Sequence, residues 1–504
     1  MKILVVTLCA RFKPHFETDL ELLQKHLDAG DEVAHLYCNC GMLACEDNVY
    51  HDIRICRECV ATKRAGLLLL NPRVSSQSFL NQFAAIRDEL STVKTEFDSV
   101  DRMKEYRLGG FDIGWAVLSS IISLRRDPEP FLAESKTLVA KLAISAWSIY
   151  CSVQNHLEHY PVNRVYVFNG RLATCRAVLR ACQSRGIPCW IHERGHDVSH
   201  YELYENVMPV DRAYTENEVR RCWMKAGLGS NRKEIAEAYF HGRAKGVVQS
   251  WYSYVSNQKE GALPLGWDPA KRNIVIFNSS EDECASIGDE WRHTLYSGQL
   301  DGIRKVVESL GAHARDMHVY LRMHPNLIGV DNANTRALRQ LRGAGFTFIP
   351  DDDPVSTYAL IKNADKVLTF GSTVGIEAVF WGKPSILAGP SFYTNLGGTY
   401  NPTSHEELVA MTMADLPPKD KEPALMYGYY LNSYGTPYKY FVPNGLFDGT
   451  FKGKRVVPAT ARSIIVLRKV HNALRSLIYK FCNILFMLST RWRLMRTFRA
   501  PWLS

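Results

Sequence analysis

A chain of 504 residues that is 46% hydrophobic and 22% charged is too long for one core and too apolar to be disordered, so two or three folded domains are expected. The formal net charge of +9 is uneven: no Asp or Glu follows Asp448, and residues 449–504 hold twelve Lys and Arg, leaving 49 basic against 52 acidic residues elsewhere. A near-neutral body excludes a general nucleic-acid-binding surface and assigns the basicity to the tail.

The opening run from Met1 to Leu8 is too short for a secretory h-region and reads as a first buried strand, which places the protein in the cytoplasm. No stretch of eighteen apolar residues follows, so a spanning helix is not expected. Phe16 to Ala29 carries Leu20, Leu22, Leu23 and Leu27 at helical spacing and ends at Gly30. A second strand, Glu32 to Tyr37, leads into cysteines 38, 40, 45, 56 and 59. In Cys56-Arg57-Glu58-Cys59 the spacing is that of a metal knuckle, and Cys40, Cys45, Cys56 and Cys59 together would suit a structural zinc. The first half-site lacks the two-residue spacing, so reduced thiols and a redox or iron–sulfur role stand as alternatives.

Residues 75–157 are poor in strand signals and periodic in apolar residues, and read as a helical insertion. Strands resume at Arg164 to Phe168 and Pro188 to His192. Their ends, Asn169-Gly170-Arg171 and Glu193-Arg194-Gly195-His196-Asp197, gather polar groups where a parallel sheet binds ligands. Glu193 is the first choice for a catalytic carboxylate and Asp197 the second, with a Glu193–Arg194 structural ion pair as the alternative. Asn169, Arg171 and Arg194 are assigned to substrate binding, and the loop Arg11 to His15 to possible acceptor contact.

A second strand–helix rhythm begins at Asn273: Asn273 to Phe277, a helix from Gln299, then strands at 318–323, 346–349, 366–370 and 385–388. The strand ends carry Asn278-Ser279-Ser280, Arg322-Met323-His324-Pro325 and Gly371-Ser372-Thr373-Val374-Gly375-Ile376-Glu377. A small-residue turn opening a helix can bind a phosphate through free N–H groups, although Ser372 would also serve as a plain N-cap and Glu377 as a turn cap. The Arg-x-His-Pro corner followed by Phe-Gly-Ser-Thr-x-Gly-x-Glu-Ala, Gly-Lys-Pro and Tyr-x-x-x-Gly-x-Thr resembles the capsule polysaccharide biosynthesis glycosyltransferases. These are relatives of bacterial Kdo transferases and, more distantly, of other transferases that use cytidine nucleotides. The resemblance implies a GT-B fold, with two Rossmann-like domains facing a cleft. It also implies that Arg322, His324, Pro325, Ser372, Thr373, Gly375 and Glu377, with Asn278, Ser279 and Ser280 nearby, bind a nucleotide-sugar donor such as CMP-Kdo or another CMP-activated acidic sugar. His324 and the Ser372-Thr373 turn would hold the phosphate, and Glu377 the ribose. Thr373 stands where the family usually has a second Ser, which keeps the hydroxyl.

The expected organisation is an N-terminal acceptor domain over 1–250, a linker near 240–270, a nucleotide-sugar domain over 265–420, a closing segment over 421–462 and a tail over 463–504. That tail interleaves apolar and basic residues and contains Trp492 and Trp502. It reads as an interfacial anchor to the inner membrane surface, with a helix packed on the body as the alternative. Outside the loop Asp351-Asp352-Asp353 there is no Asp-x-Asp pair of the sort that holds a divalent cation, so no cofactor is expected for catalysis. The expected activity is sugar transfer onto a surface, capsular or lipid-linked glycan. A sugar-nucleotide epimerase or hydrolase and a non-catalytic scaffold of polysaccharide assembly are the competing readings.

Overall fold

The computed structural model describes residues 1–79, 89–228 and 231–457. Two sheets form the frame. The first holds β1 (Lys2–Thr7), β2 (Glu32–Tyr37), β3 (Ser75–Ser78), β4 (Arg164–Phe168), β5 (Cys189–Arg194) and β6 (His200–Glu205). The second holds β7 (Arg272–Phe277), β8 (Met317–Arg322), β9 (Phe346–Ile349), β10 (Lys366–Thr369) and β11 (Ser385–Leu387). A two-residue strand, β12 (Thr436–Pro437), and a hairpin of β13 (Phe441–Gly445) with β14 (Asp448–Phe451) follow.

The first sheet runs in the order β12-β6-β5-β4-β1-β2-β3, and its strands β1 to β5 are parallel. Alternation along β1 explains its two covers. Leu4 and Val6 point into a core with Ile121, Leu142, Ile149 and Val153, while Ile3 and Val5 meet Phe16, Leu20 and Leu23 of the helix His15–Asp28. The helices Ile113–Arg125 and Leu132–His159 are therefore one covering layer of the sheet, together with Ala173–Ser184. The expected helical insertion thus serves as a layer of the sheet, and residues 75–78 at its start supply an edge strand that their polar Ser-Ser-Gln-Ser sequence conceals.

The second sheet is wholly parallel, in the order β11-β10-β7-β8-β9. Ile274, Ile276, Val319 and Leu321 pack on Ile303, Val306 and Leu310 of the helix Gln299–Gly311, and Val275, Tyr320 and Val367 pack on Tyr358, Leu360 and Ile361. Two doubly covered Rossmann-like sheets facing one another make the GT-B architecture.

The chain crosses between the halves twice. The helices Arg212–Ala226 and Arg232–Ala244 come before the 245–271 connection, yet Val219, Tyr239 and Phe240 share a core with Ile376, Phe380 and Tyr427. These helices thus pack with the second half rather than the first. After the helix Glu422–Leu431 the chain returns: Thr436 pairs with Tyr201, which places β12 antiparallel on β6. The segment before the hairpin then closes on the first helix, where the N–H groups of Lys439, Tyr440 and Phe441 donate to the buried Glu21 carboxylate at 2.7, 2.8 and 3.2 Å. Among the described residues no helix is long and apolar enough to cross a membrane. The basic tail, 463–504, lies outside the described residues.

Candidate active site

Strands β10, β7 and β8 are neighbours, so their carboxyl ends set Gly371–Thr373, Asn278–Ser280 and Met323–Asn326 side by side. Two inter-strand spacings separate the outer ends by about 10 Å, the width of one phosphate with hydrogen-bonding groups on either side. The buried Asn278 accepts from the His324 N–H at 2.8 Å and fixes the corner. His324 Nδ1 accepts from the Asn326 N–H at 3.1 Å, and its ring meets Tyr254 edge-on at 5.3 Å. Burial and the nearby Arg243 and Arg322 cations push the imidazole down to about 4, so it is neutral at pH 7. With Nδ1 accepting, the proton sits on Nε2, and His324 presents a fixed N–H donor rather than a cation.

Positive charge comes instead from two residues that no motif marks. Arg126, with φ 54 at the end of its helix, reaches from the first half to Asp282 (2.5 Å), Ser280 Oγ (3.1 Å) and the Asn326 carbonyl (3.1 Å). Arg243 binds Glu377 at 3.1 Å. It also lines a cavity of about 640 Å³ with His196, Tyr239, Trp251, Tyr254, Tyr358 and Tyr434.

On the other wall, Glu193 is the penultimate residue of β5. Its carboxylate accepts from the Arg194 N–H at 3.1 Å and from Asn169 Nδ2 at 3.3 Å, and lies 3.4 Å from His15 Nε2. Burial raises the Glu193 carboxyl above its ordinary range, and burial, with His192 and Arg194 nearby, holds His15 well below its own. The His15 ring lies against Phe168 at 3.9 Å and opens on a second cavity of about 390 Å³ with Phe12, Asp19 and Glu46. Asn169 sits in the left-handed region (φ 64) and accepts from the Arg171 and Leu172 N–H groups, so its role is to position Glu193. The two half-sites are joined. Arg171 donates to the Glu283 carbonyl at 2.8 Å, the Glu283 carboxylate accepts from Asn326 Nδ2 at 2.7 Å, and Asn326 holds the His324 ring.

Several expected contacts are spent elsewhere. Arg322 is buried and donates to the carbonyls of Pro350 and Asp353, so it ties down a turn instead of reaching a ligand. Glu377 is buried between Arg243 and the Tyr358 hydroxyl (2.5 Å), which leaves no free oxygen for a ribose. Arg194 donates to the Ser250 and Lys13 carbonyls and lies over the Trp251 and Phe447 rings. It clamps the connection, and no ion pair with Glu193 forms within 4.0 Å among the described residues. Asp197 closes its own turn on Ser199 and His200 (2.6 Å).

At the second helix start, Ser372 Oγ accepts from the Val374 N–H, the Ser372 carbonyl accepts from the Gly375 N–H, and Thr373 Oγ1 donates to Glu377 at 3.4 Å. The N-cap position of this helix is Thr373, without a side-chain cap, and Ser372 just before it holds the turn. Gly375 is required there because a Cβ would stand 2.3 Å from Tyr393 Oη. Ser279 hydrogen-bonds Gln299 and the Phe370 carbonyl, Ser280 bonds Asp282, and Pro325 opens a short 3-10 turn.

Cys40, Cys45, Cys56 and Cys59, the expected zinc set, do not bring three sulfur atoms within 4.8 Å of one another among the described residues. The sole set of three or more His, Cys, Asp or Glu ligand atoms within 4.8 Å of one another among the described residues is His196, Asp197 and His200.

Residues 272–420 match the family model described as capsule polysaccharide biosynthesis protein. That segment is similar to the capsule polysaccharide biosynthesis family. The matched segment spans β7 to β11 and contains Asn278 to Ser280, Arg322 to Asn326 and Ser372 to Glu377, whereas Arg126, Arg243 and most of the cavity lining beside Arg243 lie outside it. No curated protein matches the chain. Among solved structures, the KpsC β-Kdo 2,4 transferase of Thermosulfurimonas dismutans is similar at 14% identity and a TM-score of 0.36, over 53% of this chain and 79% of that one. The β-Kdo 2,7 transferase of the same KpsC is similar at 14% identity and a TM-score of 0.33, over 63% and 89%. The UDP-bound MnaA of S. aureus is similar at 11% identity and a TM-score of 0.27, over 87% and 93%.

Proposed function

We propose that the protein is a glycosyltransferase that moves a sugar from a nucleotide donor onto a glycan acceptor across this cleft. The observation that carries the reading is the continuous run of contacts from Glu193 and Asn169, through Arg171, Glu283 and Asn326, to His324. It couples a carboxylate–imidazole pair on one wall to a phosphate-binding corner on the other. The similarity of residues 272–420 to the capsule polysaccharide biosynthesis family supports an acceptor on the way to a surface or capsular polysaccharide. The cavity beside Arg243 adjoins His324 through the Tyr254 ring.

In this reading the acceptor hydroxyl loses its proton to the Glu193–His15 pair as its oxygen bonds the anomeric carbon. The carbon–oxygen bond to the donor phosphate breaks at the same centre, and the departing charge settles on the phosphate facing the His324 Nε2–H and Arg243. Side chains supply the cationic environment, so transfer proceeds without a divalent metal and persists in EDTA. The donor class is a CMP-activated acidic sugar such as CMP-Kdo. The tail, 463–504, holds the enzyme at the anionic inner membrane surface beside a lipid-linked acceptor, and deleting it moves the protein to the soluble fraction.

Nucleotide release measured with and without a lipid-linked or capsular glycan separates the readings. Release from CMP-Kdo or a related donor only when acceptor is present is the expected result. Release without acceptor supports a hydrolase, and no release with any donor supports a scaffold, or an epimerase if the donor sugar is converted.

A further inference from the structure

The first half holds a second constellation that sugar transfer does not use. Six cysteines line one small cavity: Cys9 after β1, Cys38 and Cys40 after β2, Cys45 in the following loop, and Cys56 and Cys59 on the helix Ile53–Leu67. The three-residue spacing of Cys56 and Cys59 puts both on one face of that helix. Leu8, Met42, Ile55 and Val60 complete an apolar wall.

Two features distinguish this cage from a chance gathering of buried thiols. Lys63 lies in its wall, 1% exposed, with its ammonium donating to the Cys38 carbonyl and standing 5.6 Å from the Tyr37 ring. Among the described residues no carboxylate comes within 4.0 Å of it, and Asp47 on the rim faces Arg11 at 3.5 Å. A buried ammonium with one neutral acceptor is costly unless a negative group shares its site. The sulfurs are also already oriented by N–H donors. Cys59 Sγ accepts from the Ala10 N–H at 3.3 Å, Cys9 Sγ from the Arg11 N–H at 3.4 Å, and Cys56 Sγ from Asn48 Nδ2 at 3.2 Å. Hydrogen bonds of this kind hold and tune thiolates that ligate a metal.

The dimensions select the class of metal centre. Four thiolates on one zinc stand about 4 Å apart, the edge of a tetrahedron with bonds near 2.3 Å. No three of the described thiols lie within 4.8 Å of one another. The cage is wider than a single ion, and a polynuclear cluster spreads its cysteine ligands further apart. We propose that this cavity binds an iron–sulfur cluster through Cys9, Cys56, Cys59 and a fourth thiolate from Cys40 or Cys45, with Lys63 as the buried counter-charge. Ligation releases four thiol protons, and the cluster's net negative charge supplies the partner that Lys63 lacks. Cys9 and Cys45 also line the neighbouring cavity that contains His15, so the cluster braces the loop that presents His15 to Glu193.

The test uses the full chain, purified anaerobically and reconstituted with ferric iron, dithiothreitol and sulfide, so that the ferric iron supplies the oxidised cluster's oxidation level. Iron and acid-labile sulfide are counted per chain, and visible absorbance is recorded before and after dithionite. The expected result is stoichiometric iron and sulfide with a visible thiolate-to-iron band that dithionite bleaches. Cys56→Ser/Cys59→Ser should retain less than a tenth of that iron, and Cys222→Ser should retain all of it. Wild-type protein that takes up no sulfide, that holds stoichiometric zinc without sulfide, or whose iron survives in the double variant overturns the proposal. Because the first two outcomes are read on the wild type, a variant that fails to fold does not shield the proposal.

Discussion

Glu193 and His15 face each other at 3.4 Å with their proton affinities pushed in opposite directions by burial, the carboxyl up and the imidazole down. A base must be unprotonated to act, so activity rises with pH as Glu193 ionises, and the raised carboxyl moves that limb above the ordinary Glu range. Glu193→Gln is expected to lower kcat by about 100-fold or more, to abolish the acidic limb and to leave donor affinity intact, as read by steady-state kinetics across pH. Asp197→Asn leaves kcat within a few-fold, because Asp197 closes its own turn. The sequence pointed to Glu193 because a polar strand end in a parallel sheet is informative by position alone. It could not separate Glu193 from Asp197, since that depends on which carboxylate the neighbouring turn consumes. His15 was legible only as a loop residue, because its partner lies 178 positions away.

At the scale of elements, the turn from β10 into the helix Val374–Phe380 depends on a residue without a side chain. A Cβ on Gly375 would meet Tyr393 Oη at 2.3 Å and Thr369 Oγ1 at 2.8 Å, both in a buried network. Gly375→Ala should cost about 1–3 kcal/mol in chemical denaturation. Gly311→Ala, whose nearest neighbour would be the Ala344 carbonyl at 3.8 Å, should cost nothing measurable. Apolar strands such as β1, β7 and β8 were readable because burial on both faces demands unbroken runs of Ile, Val and Leu. Strands β3, β6 and β12 were not: each carries polar residues or Pro and earns its place only by pairing with a neighbour already formed. The same limit hid Arg126 and Arg243, which act at a corner built from other segments.

For the whole molecule, buried neutral histidines set an acid limit. Burial lowers His35 to about 3 and His324 to about 4, from an ordinary value of 6.5. Between those values and 6.5 the unfolded chain binds protons that the folded one refuses, so the stability is full above about 6.5 and falls as pH drops toward 4. Urea denaturation at pH 7 and pH 5 should show the lower midpoint at pH 5, and His324→Gln should reduce the difference. The chain passes between its two halves at 206–211 and again just before β12, where Gly435 adopts φ 106 with Gly195 and His200 against it. Two fixed attachments define a line, and bodies joined along a line can only swing about it. Opening of the cleft is thereby reduced to one rotational degree of freedom. The Arg126 and Arg171 contacts bridge the two halves and oppose that rotation.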